Sequence, residues 1–146
     1  MNNFEDNFYI FRHLFYPAFP AERLDDESIG LGVGEHTDYG FLTMITADRG
    51  GLEIEVDGDW KEIKMIDDYL VCNIGDMLAH WSGTLKATPH RVRRLKGARH
   101  SVAYFFEPSL DSIITPLKRQ GQKSDSRPIH YGAYLESKYA YSYPDE

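Results

Sequence analysis

A chain of 146 residues, 42% hydrophobic and 14% aromatic, is one domain long enough to bury a core, and its composition is that of a globular protein rather than a disordered one. A net charge of −7 argues against a general nucleic-acid or anionic-membrane binder. A single cysteine, Cys72, excludes an internal disulfide framework and a multi-cysteine zinc site.

Met1 to Asp6 carries no basic and apolar leader pattern, and no stretch approaches the roughly 18 apolar residues of a membrane span. The expectation is a soluble, cytoplasmic protein, taken as a monomer, with neither a nucleic-acid nor a membrane partner.

In chain order, Phe8 to Tyr16 is short, aromatic and stopped by Pro17, which fits a strand. Pro17 to Gly34 reads as a long loop, and Phe41 to Thr46 as a strand followed by a turn at Asp48 to Gly51. Leu52 to Val56 alternates apolar with acidic residues, and Asp57-Gly58 is a strong hairpin signal leading into Trp60 to Ile66. Tyr69 to Ile74 reads as a buried strand, with Cys72 a buried structural thiol. Met77 to Trp81 and Pro89 to Leu95 flank a turn at Ser82-Gly83-Thr84, and the basic run Arg91 to Lys96 reads as an exposed hairpin end. Arg99 to Glu107 is a clear strand closed by Pro108. About eight short strands with turn chemistry between them suggest an antiparallel sandwich or barrel. Ser109 to Pro128 is irregular. Ile129 to Tyr143 repeats its aromatic residues at three- and four-residue steps, which predicts an amphipathic helix packed outside the barrel.

Within Gly34-Glu35-His36-Thr37-Asp38-Tyr39-Gly40, an imidazole and a carboxylate two positions apart point the same way if the segment is extended. With six His and thirteen Asp in the chain, chance alone supplies about half of one such pair, so the triplet needs a partner. His13, His80, His90, His100 and His130 are the candidates for a third ligand. His90, at the start of a strand, is the best placed of these to point into a barrel. Two His and one carboxylate suit non-haem Fe(II), and the same set could serve a zinc hydrolase. Arg99 and Ser101 share one face of their strand. An inward arginine is costly to bury without an anion, and its planar fork suits a carboxylate. His100 between them would face outward.

His36-Thr37-Asp38, His90 and Arg99-His100-Ser101 come with Gly50-Gly51-Leu52-Glu53, Asn73-Ile74-Gly75-Asp76-Met77-Leu78 and Thr88-Pro89-His90-Arg91-Val92. In that order, these blocks resemble the 2-oxoglutarate/Fe(II) dioxygenases of the isopenicillin N synthase-like group over roughly residues 8 to 140. The resemblance implies a mainly β fold, a double-stranded β-helix (jelly roll) with a C-terminal helix outside. It implies Fe(II) on His36, Asp38 and His90, and the distal carboxylate of 2-oxoglutarate on Arg99 and Ser101, with help from Tyr16 before Pro17. The implied reaction uses O2, releases succinate and CO2, and oxidises a C–H bond of a small organic substrate. In plant-type members an Asn often stands where this chain has Leu14. Family members usually carry a long N-terminal portion, so residues 1–146 are expected to be a single catalytic domain lacking it.

Phe105 shares parity with Arg99 and could wall the substrate pocket, and Tyr39 could border it; both could equally be core aromatics. Two alternatives stay open. One is an oxidase of the same fold that needs no 2-oxoglutarate, and the other a truncated, non-catalytic jelly-roll binding module.

Overall fold

The computed structural model describes residues 6–24, 30–117 and 127–142. Among these residues, ten strands and two helices follow one another as β1 (Phe8–Tyr16), a 3-10 turn (Ala21–Arg23), β2 (Val33–His36), β3 (Leu42–Ala47), β4 (Leu52–Val56), β5 (Asp59–Glu62), β6 (Val71–Ile74), α1 (Asp76–Ser82), β7 (His90–Val92), β8 (Arg99–Glu107), β9 (Ile113–Ile114), β10 (Ile129–His130) and α2 (Tyr131–Ser142). Two four-stranded antiparallel sheets, ordered β1-β8-β3-β6 and β2-β7-β4-β5, make the jelly roll, and β9 pairs with β10. The fold is the mainly β architecture expected from the strand count, with its C-terminal helix.

The longest pairing sets the frame. β1 and β8 run antiparallel over nine residue pairs, from Phe8 opposite Glu107 to Tyr16 opposite Arg99. Along β8 the residues of one parity, Arg99, Ser101, Ala103 and Glu107, are buried, as period-2 alternation requires. The opposite face of β1 carries Tyr9, Phe11 and Phe15 in the open, with Tyr9 stacked on Tyr104 at 5.4 Å. The apolar core lies at one end of the barrel, where Phe41, Met77, Ile114, Tyr131 and Leu135 meet.

Five local expectations need correction. Met77 to Trp81 is not a strand but the body of α1, entered from Gly75 and closed by Gly83 in the left-handed conformation, φ 66°. A short apolar run does not distinguish strand from helix, and here Met77, Leu78 and Trp81 occupy one helical face against the core. Cys72 is exposed rather than buried, because β6 is an edge strand and alternation turns Cys72 away from the barrel-facing Asn73. β6 is shorter than expected, with Tyr69 and Leu70 exposed ahead of it, and β5, the edge strand of the other sheet, ends at Glu62 with Ile66 exposed. The basic run is only partly open. Arg91 and Arg93 bind Glu53 at 2.7 and 2.8 Å, and Arg91 lies over the Trp60 ring.

The loop expected from Pro17 to Gly34 contains the 3-10 turn and the start of β2, and the irregular Ser109–Pro128 stretch contains β9. Residues 25–29 of the first and 118–126 of the second lie outside the described residues, as do residues 1–5 and Tyr143. Among the described residues no helix is long and apolar enough to cross a membrane.

Gly75 marks the closest backbone approach beside α1. Its N–H donates to the Phe41 carbonyl at 2.9 Å, and a Cβ there would stand 2.2 Å from the Gly40 carbonyl oxygen. The obstacle is backbone and cannot rotate away. Gly75→Ala is therefore expected to destabilise by about 1–3 kcal/mol through overpacking, read as a lower urea midpoint at unchanged slope.

Candidate active site

β2 ends on His36, and its pairing with β7 sets His36 directly opposite His90. Asp38 follows in the connection to β3. The three side chains each offer one ligand atom, and these atoms lie within 4.8 Å of one another. The two imidazole rings sit 4.2 Å apart, centroid to centroid. Asp38 and His90 are buried, whereas the His36 side chain is 39% exposed at the rim.

The orientation of each ring is fixed from behind. His36 Nδ1 bonds to the Gly34 carbonyl at 2.9 Å, and His90 Nδ1 to the Thr88 carbonyl at 3.1 Å. A carbonyl only accepts, so each Nδ1 carries a proton, and in the neutral ring the lone pair lies on Nε2. Those Nε2 atoms stand 3.7 and 3.6 Å from Asp38 Oδ1, beyond good hydrogen-bond range and spaced for a common ion. Burial lowers the pKa of His90 below its ordinary value, outweighing the opposing pull of Asp38, which favours the neutral ring.

Asp38 is divided between two tasks. Its Oδ2 accepts from Thr43 Oγ1 at 2.5 Å and from Asn73 Nδ2 at 2.6 Å, which leaves Oδ1 toward the histidines. Thr43 and Asn73 are a cross-strand pair of β3 and β6, so both side chains point to the same face. Sequence reasoning missed both as supporting residues. The parity of Thr43 and the Asn73-Ile74-Gly75-Asp76 block were the available signals, but only the β3–β6 register joins them.

Arg99, 1% exposed, and Ser101, 4% exposed, line the same cavity as His36, Asp38 and His90, a space of about 200 Å³. Arg99 Nε donates to the Gly50 carbonyl at 2.9 Å, its guanidinium lies 4.9 Å from the centre of the Tyr16 ring, and its Nη1 is buried without a partner. No carboxylate pairs with it among the described residues. Burial lowers the Arg99 pKa, opposed by Tyr16 and then Asp48. A buried cation with a free N–H in a cavity has the chemistry to receive an anion.

Phe105 lines this cavity and a second one of about 260 Å³ that opens beyond His36 and Asp38. Tyr39 lines the second, with its ring edge-on to Tyr139 of α2. The other histidines stay apart from the triad. His13 and His100 pair with each other at 3.1 Å, His80 lies half-buried on α1, and His130 is exposed.

Sequence reasoning also passed over Glu107. It is 5% exposed, accepts a short hydrogen bond from the Tyr131 hydroxyl, and lies against Gly40, where a Cβ would collide with its carboxylate. Burial pushes its pKa up from 4.5 to about 7, against the hydrogen bond from Tyr131 that favours the ionised form.

A family model for the 2OG-Fe(II) oxygenase superfamily matches residues 5–108. A homoarginine-6-hydroxylase of Oryza sativa is 37% identical over 145 residues, which cover 91% of this chain and 43% of the rice protein. Clavatol oxidase of Penicillium crustosum is 36% identical over 118 residues, covering 77% of this chain and 35% of its own. The crystal structure of a full-length Neurospora crassa protein in complex with alpha-KG and thymine matches with a TM-score of 0.89 at 32% identity, over 97% of this chain and 46% of that one. The chain thus spans less than half the length of these relatives.

Two outcomes follow from the supports around Asp38 and Glu107. Thr43→Val removes one of the two hydrogen bonds that aim Asp38, and metal affinity should fall roughly 10- to 100-fold in a Co(II) titration. Glu107 binds its proton more tightly folded than unfolded. Stability should therefore be highest below about pH 4.5 as far as this group is concerned, decline as pH rises to about 7, and level off above it. The decline is on the order of 3 kcal/mol. Glu107→Gln should abolish that slope in urea melts between pH 5 and 8; an unchanged slope would contradict the assignment.

Proposed function

Because this chain belongs to the 2OG-Fe(II) oxygenase superfamily, matched over residues 5–108, we propose that it oxidises a C–H bond of a small organic substrate with Fe(II), 2-oxoglutarate and O2. The observation that carries this reading is the buried, unpartnered Nη1 of Arg99 in one cavity with His36, Asp38 and His90. A metal triad alone would serve a hydrolase equally well. A triad joined to a buried receptor for a second carboxylate fits a chelating 2-oxo diacid.

His36, Asp38 and His90 would hold the metal, and their donor set of two imidazoles and one carboxylate is the one that suits Fe(II). When bound, the iron with 2-oxoglutarate and O2 supplies the oxidising power, releasing succinate and CO2. The residues of the chain do the positioning. The Gly34 and Thr88 carbonyls aim the two rings, and Thr43 and Asn73 aim the carboxylate. Arg99 and Ser101 would take the distal carboxylate of the co-substrate, and Tyr16 packs against the guanidinium and covers it from water. Since Arg99 is already fixed to the Gly50 carbonyl, its fork needs little further ordering to bind.

The substrate would occupy the cavity beyond His36 and Asp38, against Phe105 and Tyr39. The names of the relatives supply the first compounds to try, homoarginine and thymine. A reducing compartment such as the cytoplasm suits the exposed Cys72 thiol.

Anaerobic titration with Fe(II) and 2-oxoglutarate is the direct test. A charge-transfer band that needs both components supports the reading, and turnover without succinate would sink it. Asp38→Ala should abolish metal retention. Arg99→Ala should weaken 2-oxoglutarate by roughly 10- to 100-fold, the loss of a charge-assisted contact, while the metal is retained; equal loss of both would contradict the separate roles.

A further inference from the structure

The inward-facing row of β1 and β8 continues past the co-substrate end. Beyond Tyr16 with Arg99 and Leu14 with Ser101 come Arg12 opposite Ala103, Ile10 opposite Phe105, and Phe8 opposite Glu107. Arg12 has the parity of Leu14 and Tyr16 but is exposed, so it stands at the open mouth of the barrel. It lines both cavities that contain His36 and Asp38.

Arg12 and Glu107 are opposite charges that line the same outer cavity without meeting. The Arg12 guanidinium lies over the Phe105 ring at 5.5 Å, and no carboxylate pairs with it among the described residues. Glu107 takes its hydrogen bonds from the neutral Tyr131 hydroxyl and the Phe41 backbone, and among the described residues no cation pairs with it. Asp38 on the same wall is committed to Thr43, Asn73 and the ligand cluster. Among the described residues, the cavity therefore offers one guanidinium without a carboxylate partner at its mouth and one buried carboxyl without a cation partner, with the Phe105 ring against the guanidinium. Four residues of strand separate the backbone levels of Arg12 and Glu107, about 13 Å, and the Arg12 guanidinium leans across this gap to the Phe105 ring.

We propose that this cavity receives a zwitterionic amino acid with a cationic side chain, its carboxylate on Arg12, its side-chain cation on Glu107, and its methylenes along Phe105. The assignment rests on the oxygenase reading only for the reaction that follows; binding itself needs the two charges alone. The elevated Glu107 pKa agrees with it, since a buried carboxyl lacking a cation gains most from one that arrives.

Binding is read by calorimetry on the protein with Zn(II) and 2-oxoglutarate and again without metal, so a failed oxygenase reading does not obscure this one. The probes are ω-guanidino L-amino acids with three to five methylenes, agmatine, which lacks the carboxylate, L-norleucine, which lacks the cation, and uracil as a neutral planar ring. On the unchanged chain, at least one guanidino amino acid should bind 10-fold or more tighter than agmatine, norleucine and uracil. Arg12→Gln should weaken the carboxylate-bearing probes and leave agmatine unchanged. Glu107→Gln, which keeps a hydrogen-bond acceptor for Tyr131, should weaken the guanidino probes and leave norleucine unchanged. The proposal is overturned if uracil binds as well as the guanidino amino acids, if none of those binds in either metal state, or if each variant weakens all probes alike.

Discussion

The carboxylate of Asp38 is the point at which the two sheets, one helix and the candidate metal centre are tied together. The histidines that face its Oδ1 belong to β2 and β7 of one sheet, and the side chains that hold its Oδ2 belong to β3 and β6 of the other. Its backbone is engaged as well. The Asp38 carbonyl accepts from the N–H of Asp76 and the Gly40 carbonyl from that of Met77, so the first turn of α1 is seated on the ligand segment. Those N–H groups have no partner inside a helix, and finding one here fixes α1 against the strand connection. A change at Asp38 is therefore felt in packing as well as at the candidate metal centre. The conservative tests lie behind it, at Thr43 and Asn73.

The C-terminal helix α2 is bound to the same region by two phenols. Tyr131 donates to Glu107, and Tyr134 donates to Asp76 at 2.9 Å, where Lys138 also approaches. Burial raises both tyrosine pKa values, and the carboxylates they face raise them further, so both hydroxyls remain protonated donors. The helix packs outside the barrel, yet Leu135 and Tyr139 also wall the outer cavity. The width of that cavity is thus set by bonds to two carboxyl groups, one in the cavity wall and one at the start of α1.

How far the sequence can be read depends on which physical signal each feature leaves in it. Arg99 and Ser101 are found together because parity within one strand is a local property, and the strand Arg99 to Glu107 is long and sharply bounded. The jelly roll follows from turn chemistry at even spacing. Thr43 with Asn73 is out of reach, because their meeting depends on the register between β3 and β6, thirty residues apart in the chain. Glu107 obeys the same parity as Arg99, but beside Pro108 it reads only as the end of a strand. Met77 to Trp81 and Cys72 fail for a common reason. Short apolar runs carry no record of whether they become a helix face or an edge strand; tertiary packing decides.

The register of β1 against β8 controls the chemistry along the barrel, and its consequences can be followed residue by residue. Guanidinium, hydroxyl, methyl, aromatic ring and carboxyl succeed one another at Arg99, Ser101, Ala103, Phe105 and Glu107, one every second residue. A slip of one residue would turn this series to the solvent and bring His100, Val102 and Tyr104 inward. Side-chain bonds hold both ends against such a slip. At one end Arg99 Nε is fixed to the Gly50 carbonyl of the turn before β4, and at the other Glu107 is fixed by Tyr131 of α2. Each anchor is itself a charged group facing a cavity. The pairing that orders the candidate site is thus held by the residues the site would use, and a substitution at either end has to be read for register before it is read for binding.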